Sequence, residues 1–162
     1  MSILRSLGLG LAVALLLGVS PVQAQTAKDV EGTWQLVSVT VTQGEKKTDL
    51  FGADPKGQLV LGADGKFTIV VTRSDLPKYK SGARAKGTAD EYQATVQGTN
   101  AYFGTFTVDA GALVFKVVGS TFPNAVGETQ TRAVKVAGEE MTYTTPATKG
   151  GAVSTLTWKR AK

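Results

Sequence analysis

Apolar and polar residues alternate along most of the chain after residue 31, and turn-forming residues interrupt the alternation at short intervals. A period of two is typical of half-buried β-strands. It predicts eight strands: Trp34 to Gln43, Gln58 to Leu61, Phe67 to Arg73, Ala101 to Val108, Leu113 to Val118, Gln130 to Val136, Glu140 to Thr145 and Val153 to Arg160. Because hairpin-sized loops join nearly all of them, we expect an all-β, eight-stranded antiparallel up-and-down barrel. A two-sheet sandwich is the alternative.

The first predicted strand changes phase partway along its length. Trp34 and Leu36 share one face, whereas Val37, Val39 and Val41 share the other. An extra residue that shifts the alternation by one position is characteristic of a β-bulge. We therefore expect a bulge or sharp bend in this strand.

The segment from Ser74 to Gly98 lacks the strand alternation. Thr88 is followed three residues later by Glu91, which is the spacing of a capping box, and Gly98 is a typical helix-ending residue. This pattern predicts one short helix, from about Ala89 to Gln97.

The first 24 residues have the organisation of a secretory signal peptide. Arg5 precedes an apolar run from Leu7 to Val19, which is too short for a comfortable membrane span. Val22 and Ala24 place small residues at the two positions that signal peptidase reads. We predict cleavage after Ala24 rather than an uncleaved membrane anchor, giving a mature barrel domain over residues 25–162 that is periplasmic or secreted. The chain has no cysteine, which excludes a lipid-anchored N-terminal cysteine and any disulfide.

The charge of the predicted mature chain is modest and dispersed. Without Arg5, 17 basic side chains stand against 13 acidic ones, a net charge of +4. Nucleic-acid binding would favour a basic stripe with exposed aromatic residues, or a recognition helix, and the sequence has neither. We therefore predict no nucleic-acid partner. The sequence does not specify an oligomeric state.

Five segments in order resemble the bacterial lipocalin-like domain proteins, which are related in architecture to lipocalins and fatty-acid-binding proteins. The segments are Gly32 to Leu36; Pro55 to Leu59 followed by Asp64-Gly65; Ala101 to Phe106; Pro123-Asn124 with Gly127 and Arg132; and Leu156 to Arg160. The resemblance covers almost the whole predicted mature chain. It implies a barrel that holds a small apolar molecule, and it implies no fixed activity. The signal peptide and the lack of histidine depart from the pattern.

The resemblance also implies a role for the first tryptophan. In lipocalin-type barrels the first-strand Trp closes one end, and an Arg of the last strand lies across its ring. Leu156, Trp158 and Arg160 share one face of the last strand, so Arg160 points with the apolar set. We expect Trp34 and Arg160 to form a structural cation–π plug rather than part of a ligand site.

The residue inventory limits the chemistry. No histidine or cysteine is present, which excludes His-based triads, thiol nucleophiles and the usual zinc sites. The adjacent carboxylates Asp90-Glu91 and Glu139-Glu140 fall at a helix start and in a turn, where we expect them to be solvated rather than catalytic. No catalytic residue, cofactor or metal is predicted.

Three arginines continue the apolar faces of their strands: Arg73, Arg132 and Arg160. No acidic residue occupies an inward position in the middle of a predicted strand, and an unpaired buried charge is costly. With Arg160 assigned to Trp34, Arg73 and Arg132 either reach water at strand ends or meet the anionic group of a ligand.

The apolar wall of such a site would come from residues with inward parity, that is, residues at the alternate positions of each strand that face the barrel interior. They are Phe67, Ile69, Tyr102, Phe106, Phe115, Val117, Met141 and Tyr143. Buried tyrosine hydroxyls need hydrogen-bond partners, which favours a pocket near Tyr102 and Tyr143.

The leading functional hypothesis is an exported, non-enzymatic barrel that binds a small apolar or amphipathic ligand, including an anionic one. An enzyme of the same architecture, such as an isomerase or cyclase using Tyr and Arg, is one alternative. A barrel packed solid that acts on a protein partner through its surface is the other.

Overall fold

The chain folds into strands linked by short turns, with two α-helices outside the sheet. A computed structural model describes residues 25–162, and the predicted signal peptide lies outside these described residues. In chain order the elements are α1 (Ala27–Val30), β1 (Gly32–Gln43), β2 (Lys46–Asp49), β3 (Lys56–Leu61), β4 (Lys66–Thr72), a 3-10 turn (Arg84–Lys86), α2 (Ala89–Gln97), β5 (Thr99–Asp109), β6 (Ala112–Ser120), a 3-10 turn (Pro123–Ala125), β7 (Thr129–Ala137), β8 (Glu140–Thr144) and β9 (Val153–Arg160). Sequence reasoning did not predict α1, β2 or the two 3-10 turns.

The sheet closes on itself as an eight-stranded antiparallel barrel. Its strand order is β1-β3-β4-β5-β6-β7-β8-β9, and β9 pairs back with β1 from Trp34 opposite Arg160 to Thr42 opposite Val153. This pairing confirms the predicted barrel and excludes the two-sheet sandwich, because a sandwich leaves its edge strands unpaired.

Strand β1 contains the predicted bulge. Its register against β9 shifts between Leu36 and Ser38, so Val37 is the extra residue. Leu36 and Val39 are both buried although they are three positions apart, whereas Val37 is 49% exposed. The bulge turns the two halves of β1 so that each presents its own apolar residue to the interior.

Strand β2 extends the sheet beyond the closed barrel. It pairs with the second half of β1, from Thr40 opposite Asp49 to Gln43 opposite Lys46. All four of its residues, Lys46 to Asp49, are exposed. Such a strand carries no alternation of apolar and polar residues, which is why the hydrophobic pattern did not reveal it.

The apolar core fills the barrel at the end where β1 begins. An unbroken series of aromatic rings crosses it: the ring centroids of Phe67 and Phe115 are 4.5 Å apart, those of Phe115 and Tyr143 are 6.2 Å apart, and those of Tyr143 and Trp158 are 6.1 Å apart. Phe115 and Trp158 are completely buried. This end of the barrel is therefore close-packed.

Helix α2 has the predicted bounds and the predicted capping box. The Thr88 hydroxyl accepts a hydrogen bond from the Glu91 backbone N–H (3.3 Å), and the Glu91 carboxylate accepts one from the Thr88 backbone N–H (2.8 Å). Glu91 also accepts a hydrogen bond from the Lys80 backbone N–H (2.8 Å), and the residue is buried. The bonds from Lys80 and Thr88 lower the pKa of Glu91. The expectation of a solvated carboxylate is wrong for Glu91, because it ties the preceding loop to the helix.

No helix among residues 25–162 combines the length and the apolar character that crossing a membrane requires.

Candidate ligand-binding site

A cavity of about 140 Å³ lies inside the barrel, between the filled core and the end where β4 finishes and β5 begins. It is lined by the second half of β1, the loop after β2, and strands β4, β5, β7, β8 and β9. The lining residues are Val39, Leu50, Phe51, Ile69, Val71, Asn100, Tyr102, Arg132, Tyr143, Thr145, Ser154 and Leu156. The barrel is therefore not packed solid along its whole length.

Among residues 25–162, Arg132 is the only charged side chain that lines this cavity. It lies on β7 opposite Leu113 and is partly buried. Its guanidinium donates hydrogen bonds to the Gln130 side-chain oxygen (2.8 Å) and to the Thr131 carbonyl (3.0 Å). Within residues 25–162 it forms no ion pair with a carboxylate. The guanidinium thus retains donors and a charge that no acidic group neutralises.

Two tyrosines, Tyr102 and Tyr143, line the same cavity. Burial raises the pKa of Tyr102, and the nearby charge of Arg132 opposes that rise. Burial raises the pKa of Tyr143 well above its ordinary value, with a further rise from Tyr102 and opposition from Arg132. Both hydroxyls therefore keep their protons at neutral pH and can donate hydrogen bonds.

The Tyr143 hydroxyl is fully buried and makes no hydrogen bond of standard geometry within the described residues. The same is true of Trp158 Nε1. Such a group normally has a partner, because leaving it unpaired costs about 1–3 kcal/mol. Tyr143 also lines the cavity, but its hydroxyl oxygen has almost no accessible surface, and Tyr102 and Trp158 are the neighbours whose hydrogen bonds act on its pKa.

The structure separates the predicted site residues into two groups. Arg132, Tyr102, Tyr143 and Ile69 line the cavity. Phe67, Phe106, Phe115, Met141 and Val117 are buried but do not line it. Phe67, Phe106, Phe115 and Met141 belong to the buried core of the barrel, whereas Val117 is buried outside that cluster. The alternation along a strand predicts whether a side chain faces the interior. It does not predict how far along the barrel axis that side chain lies.

Arg73 lies outside the cavity and reaches solvent at the end of β4, which is one of the two alternatives that the sequence left open. It follows the last residue of β4, Thr72, so strand parity no longer applies to it. Its guanidinium is exposed and forms two hydrogen bonds of 2.8 Å with the Asp75 carboxylate. This pairing raises the pKa of Arg73 and lowers that of Asp75.

Trp34 and Arg160 meet at the opposite end of the barrel. The guanidinium carbon of Arg160 is 4.1 Å from the centroid of the Trp34 ring, and Trp34 is completely buried. Trp34 Nε1 donates to the Val30 carbonyl (2.8 Å), while Arg160 donates to the carbonyls of Glu31 (2.7 Å) and Asp29 (2.9 Å). Helix α1 is thereby fixed across this end. A side chain on Gly32 would reach the Arg160 guanidinium, at 2.9 Å from its nearest nitrogen.

Sequence reasoning missed most of the remaining lining residues. Val39, Val71 and Leu156 are apolar strand residues whose alternation was visible, but nothing local indicated that they border open space. Phe51 lies in the loop between β2 and β3, where an apolar Leu50-Phe51 pair was the available signal. Asn100, Thr145 and Ser154 add neutral polar groups near the ends of β5, β8 and β9.

The residues that line the cavity supply several kinds of polar group. It offers one guanidinium, two phenols, two aliphatic hydroxyls and one amide around apolar walls. None of these groups is a base near neutral pH. Residues 25–162 also contain no cluster of three or more carboxylate, histidine or cysteine side chains that could hold a metal ion.

A closed eight-stranded barrel with an internal, partly polar cavity defines the class of β-barrel ligand-binding proteins. The chain belongs to the lipocalin-like domain family, whose model matches residues 31–161. No curated protein matches the chain. The fold of this family is one that generally binds small hydrophobic ligands inside the barrel.

Proposed function

We propose that this protein binds a small amphipathic anion inside the barrel, with the anionic group at Arg132 and the apolar part against the aromatic and aliphatic walls. The observation that carries this proposal is the partly buried guanidinium of Arg132, which is the only charge lining the cavity and has no carboxylate partner among the described residues. A partly buried cation without a carboxylate partner favours an anion that forms charge-assisted hydrogen bonds with it.

The two tyrosines support the same ligand chemistry. Tyr102 and Tyr143 lie near enough to Arg132 for its charge to act on their pKa values. The Tyr102 hydroxyl, which stays protonated, would add a hydrogen bond to an anionic oxygen. No lining group serves as a base for an isomerase or cyclase, so non-enzymatic binding is the stronger candidate.

Binding of matched anionic and neutral probes tests the proposal. We expect benzoate, octanoate or both to bind at pH 7 about 10-fold or more tightly than benzamide and octanamide, because a hydrogen bond to a charged group contributes about 1.5–3 kcal/mol. Isothermal titration calorimetry provides the affinities. If neither anion binds more tightly than its amide, the proposed function is wrong.

We propose that the barrel acts outside the cytoplasm after removal of residues 1–24. Gln25 lies directly after the predicted cleavage position, and its side-chain oxygen accepts a hydrogen bond from the Val136 backbone N–H (3.2 Å). The barrel domain thus makes contacts from the first residue of the expected mature chain.

Expression of the full chain, followed by N-terminal sequencing of the extracytoplasmic fraction, tests the proposed export. We expect a protein that begins at Gln25. Recovery of the intact chain from Met1 in a membrane fraction would contradict this expectation.

A further inference from the structure

We infer that the ligand is a monoanion whose apolar part is no larger than a single ring, and that Phe51 sets this size limit. The inference rests on the proposed anion site at Arg132. The inference adds the chemical class of the ligand, and it names Phe51 as the residue that limits the size of the ligand.

The size of the cavity gives the first argument. Its volume is about 140 Å³. An apolar cavity of about 150 Å³ holds a benzene molecule, whereas sites for drug-sized ligands measure about 300–1,000 Å³. The cavity is partly open to solvent, and a single ring with one small polar substituent fills its enclosed volume.

The closed half of the barrel does not offer additional room. Tyr143 borders the cavity, and Phe115 and Trp158 pack behind it with ring centroids at 6.2 Å and 6.1 Å from the Tyr143 ring. Both of these rings are completely buried. Extending the cavity in this direction would displace several packed aromatic side chains at once, which is unfavourable.

Phe51 limits the cavity on the side of the loop that follows β2. The loop is fixed by a hydrogen bond from the Leu50 N–H to the Val39 carbonyl (2.9 Å) and one from the Gly52 N–H to the Asp49 carbonyl (3.3 Å). Gly52 has φ = 81°, a conformation that favours glycine. Leu50 is 49% exposed, whereas Phe51 is only 8% exposed because its ring turns into the barrel. A loop residue thus supplies one wall of the cavity.

The single charge in the lining defines the charge of the ligand. One carboxylate satisfies Arg132, and a second carboxylate would meet only neutral groups. Burying that second charge without a partner is unfavourable. The site therefore favours a monoanion over a dianion.

A series of straight-chain carboxylates from butanoate to dodecanoate, together with benzoate and phthalate, tests the inference in the unmodified protein. Each methylene that enters the cavity raises affinity about fourfold. We expect this rise to end before octanoate, benzoate to bind at least as tightly as any member of the series, and phthalate to bind at least 10-fold more weakly than benzoate. A rise that continues to dodecanoate, or phthalate binding equal to that of benzoate, would overturn the inference.

Truncation of Phe51 tests its role directly. In Phe51→Ala we expect octanoate affinity to increase about 10-fold and benzoate affinity to decrease, because the cavity grows toward the loop. Phe122→Ala is the matched control, since Phe122 is a loop phenylalanine that is 60% exposed and does not line the cavity. A folded Phe51→Ala protein with an unchanged chain-length profile would refute the role of Phe51. Phe51→Leu serves the same comparison if the alanine variant does not fold.

The failures of the two proposals can be distinguished. If octanoate and dodecanoate bind more tightly than their amides, and more tightly than benzoate, the anion site stands and the size limit is wrong. If no carboxylate of any length binds more tightly than its amide, the anion site itself is wrong.

Discussion

Replacement of Trp34 by alanine is expected to lower the free energy of unfolding by about 3–5 kcal/mol, the range for deletion of a large buried aromatic side chain. Trp34 is completely buried, lies under the Arg160 guanidinium at 4.1 Å and donates a hydrogen bond to Val30. The substitution removes the ring and the cation–π contact, and it leaves the Val30 carbonyl without this donor. Urea unfolding followed by circular dichroism measures the loss.

Ligand binding by folded Trp34→Ala molecules is expected to change little, because Trp34 lies at the end of the barrel opposite the cavity and is not among its lining residues. Phe122→Ala is the control for loss of an aromatic ring, and because Phe122 is exposed we expect it to shift stability by less than about 0.5 kcal/mol. A Trp34→Ala protein of normal stability that no longer binds the anion would show that Trp34 belongs to the ligand site instead.

Replacement of Arg132 by methionine is expected to weaken benzoate binding by about 1.5–3 kcal/mol, the contribution of a hydrogen bond to a charged group. Methionine keeps much of the side-chain length and removes the one charge that residues 25–162 place in the cavity lining. Stability should remain unchanged or increase, since an uncompensated, partly buried charge is replaced by an apolar side chain. Isothermal titration calorimetry and urea unfolding of the same preparations measure both effects.

Arg73→Met provides the matched control, because it makes the same substitution at an arginine that is exposed and paired with Asp75. We expect benzoate affinity to be unchanged in this variant. Strong destabilisation of Arg132→Met would assign Arg132 a structural role through Gln130 and the Thr131 carbonyl. Equal affinities in the wild-type protein and Arg132→Met would show that the anion does not contact Arg132.

The sequence determined much of the fold because its signals are local. Alternation with a period of two, together with short turns, predicted all eight strands of the barrel, and the phase change after Leu36 predicted the bulge. The Thr88 and Glu91 pair predicted the start of α2. Each of these features depends on residues a few positions apart, so no knowledge of distant contacts was necessary.

The candidate site was only partly predictable from the sequence. Arg132, Tyr102 and Tyr143 have inward parity and do line the cavity, yet Phe115 and Met141 have the same parity and fill the core. Arg73 has the parity of its strand but lies one residue beyond it, where the chain turns away to pair with Asp75. Parity specifies the face of a strand and does not specify how far the strand extends.

Closure of the barrel decided what the sequence alone did not. The stagger of the strands places Tyr143 and Arg132 beside the cavity, and it places the ring of Phe115 beside that of Phe67. These contacts join residues that are far apart in the chain. The same closure brings Phe51 from a loop into the interior, although no periodic pattern surrounds it. The sequence thus determined the eight strands of the barrel, helix α2 and the candidate Arg132. Only the tertiary structure decided which side chains fill the core, because cavity volume results from packing between strands and not from the pattern along any one of them.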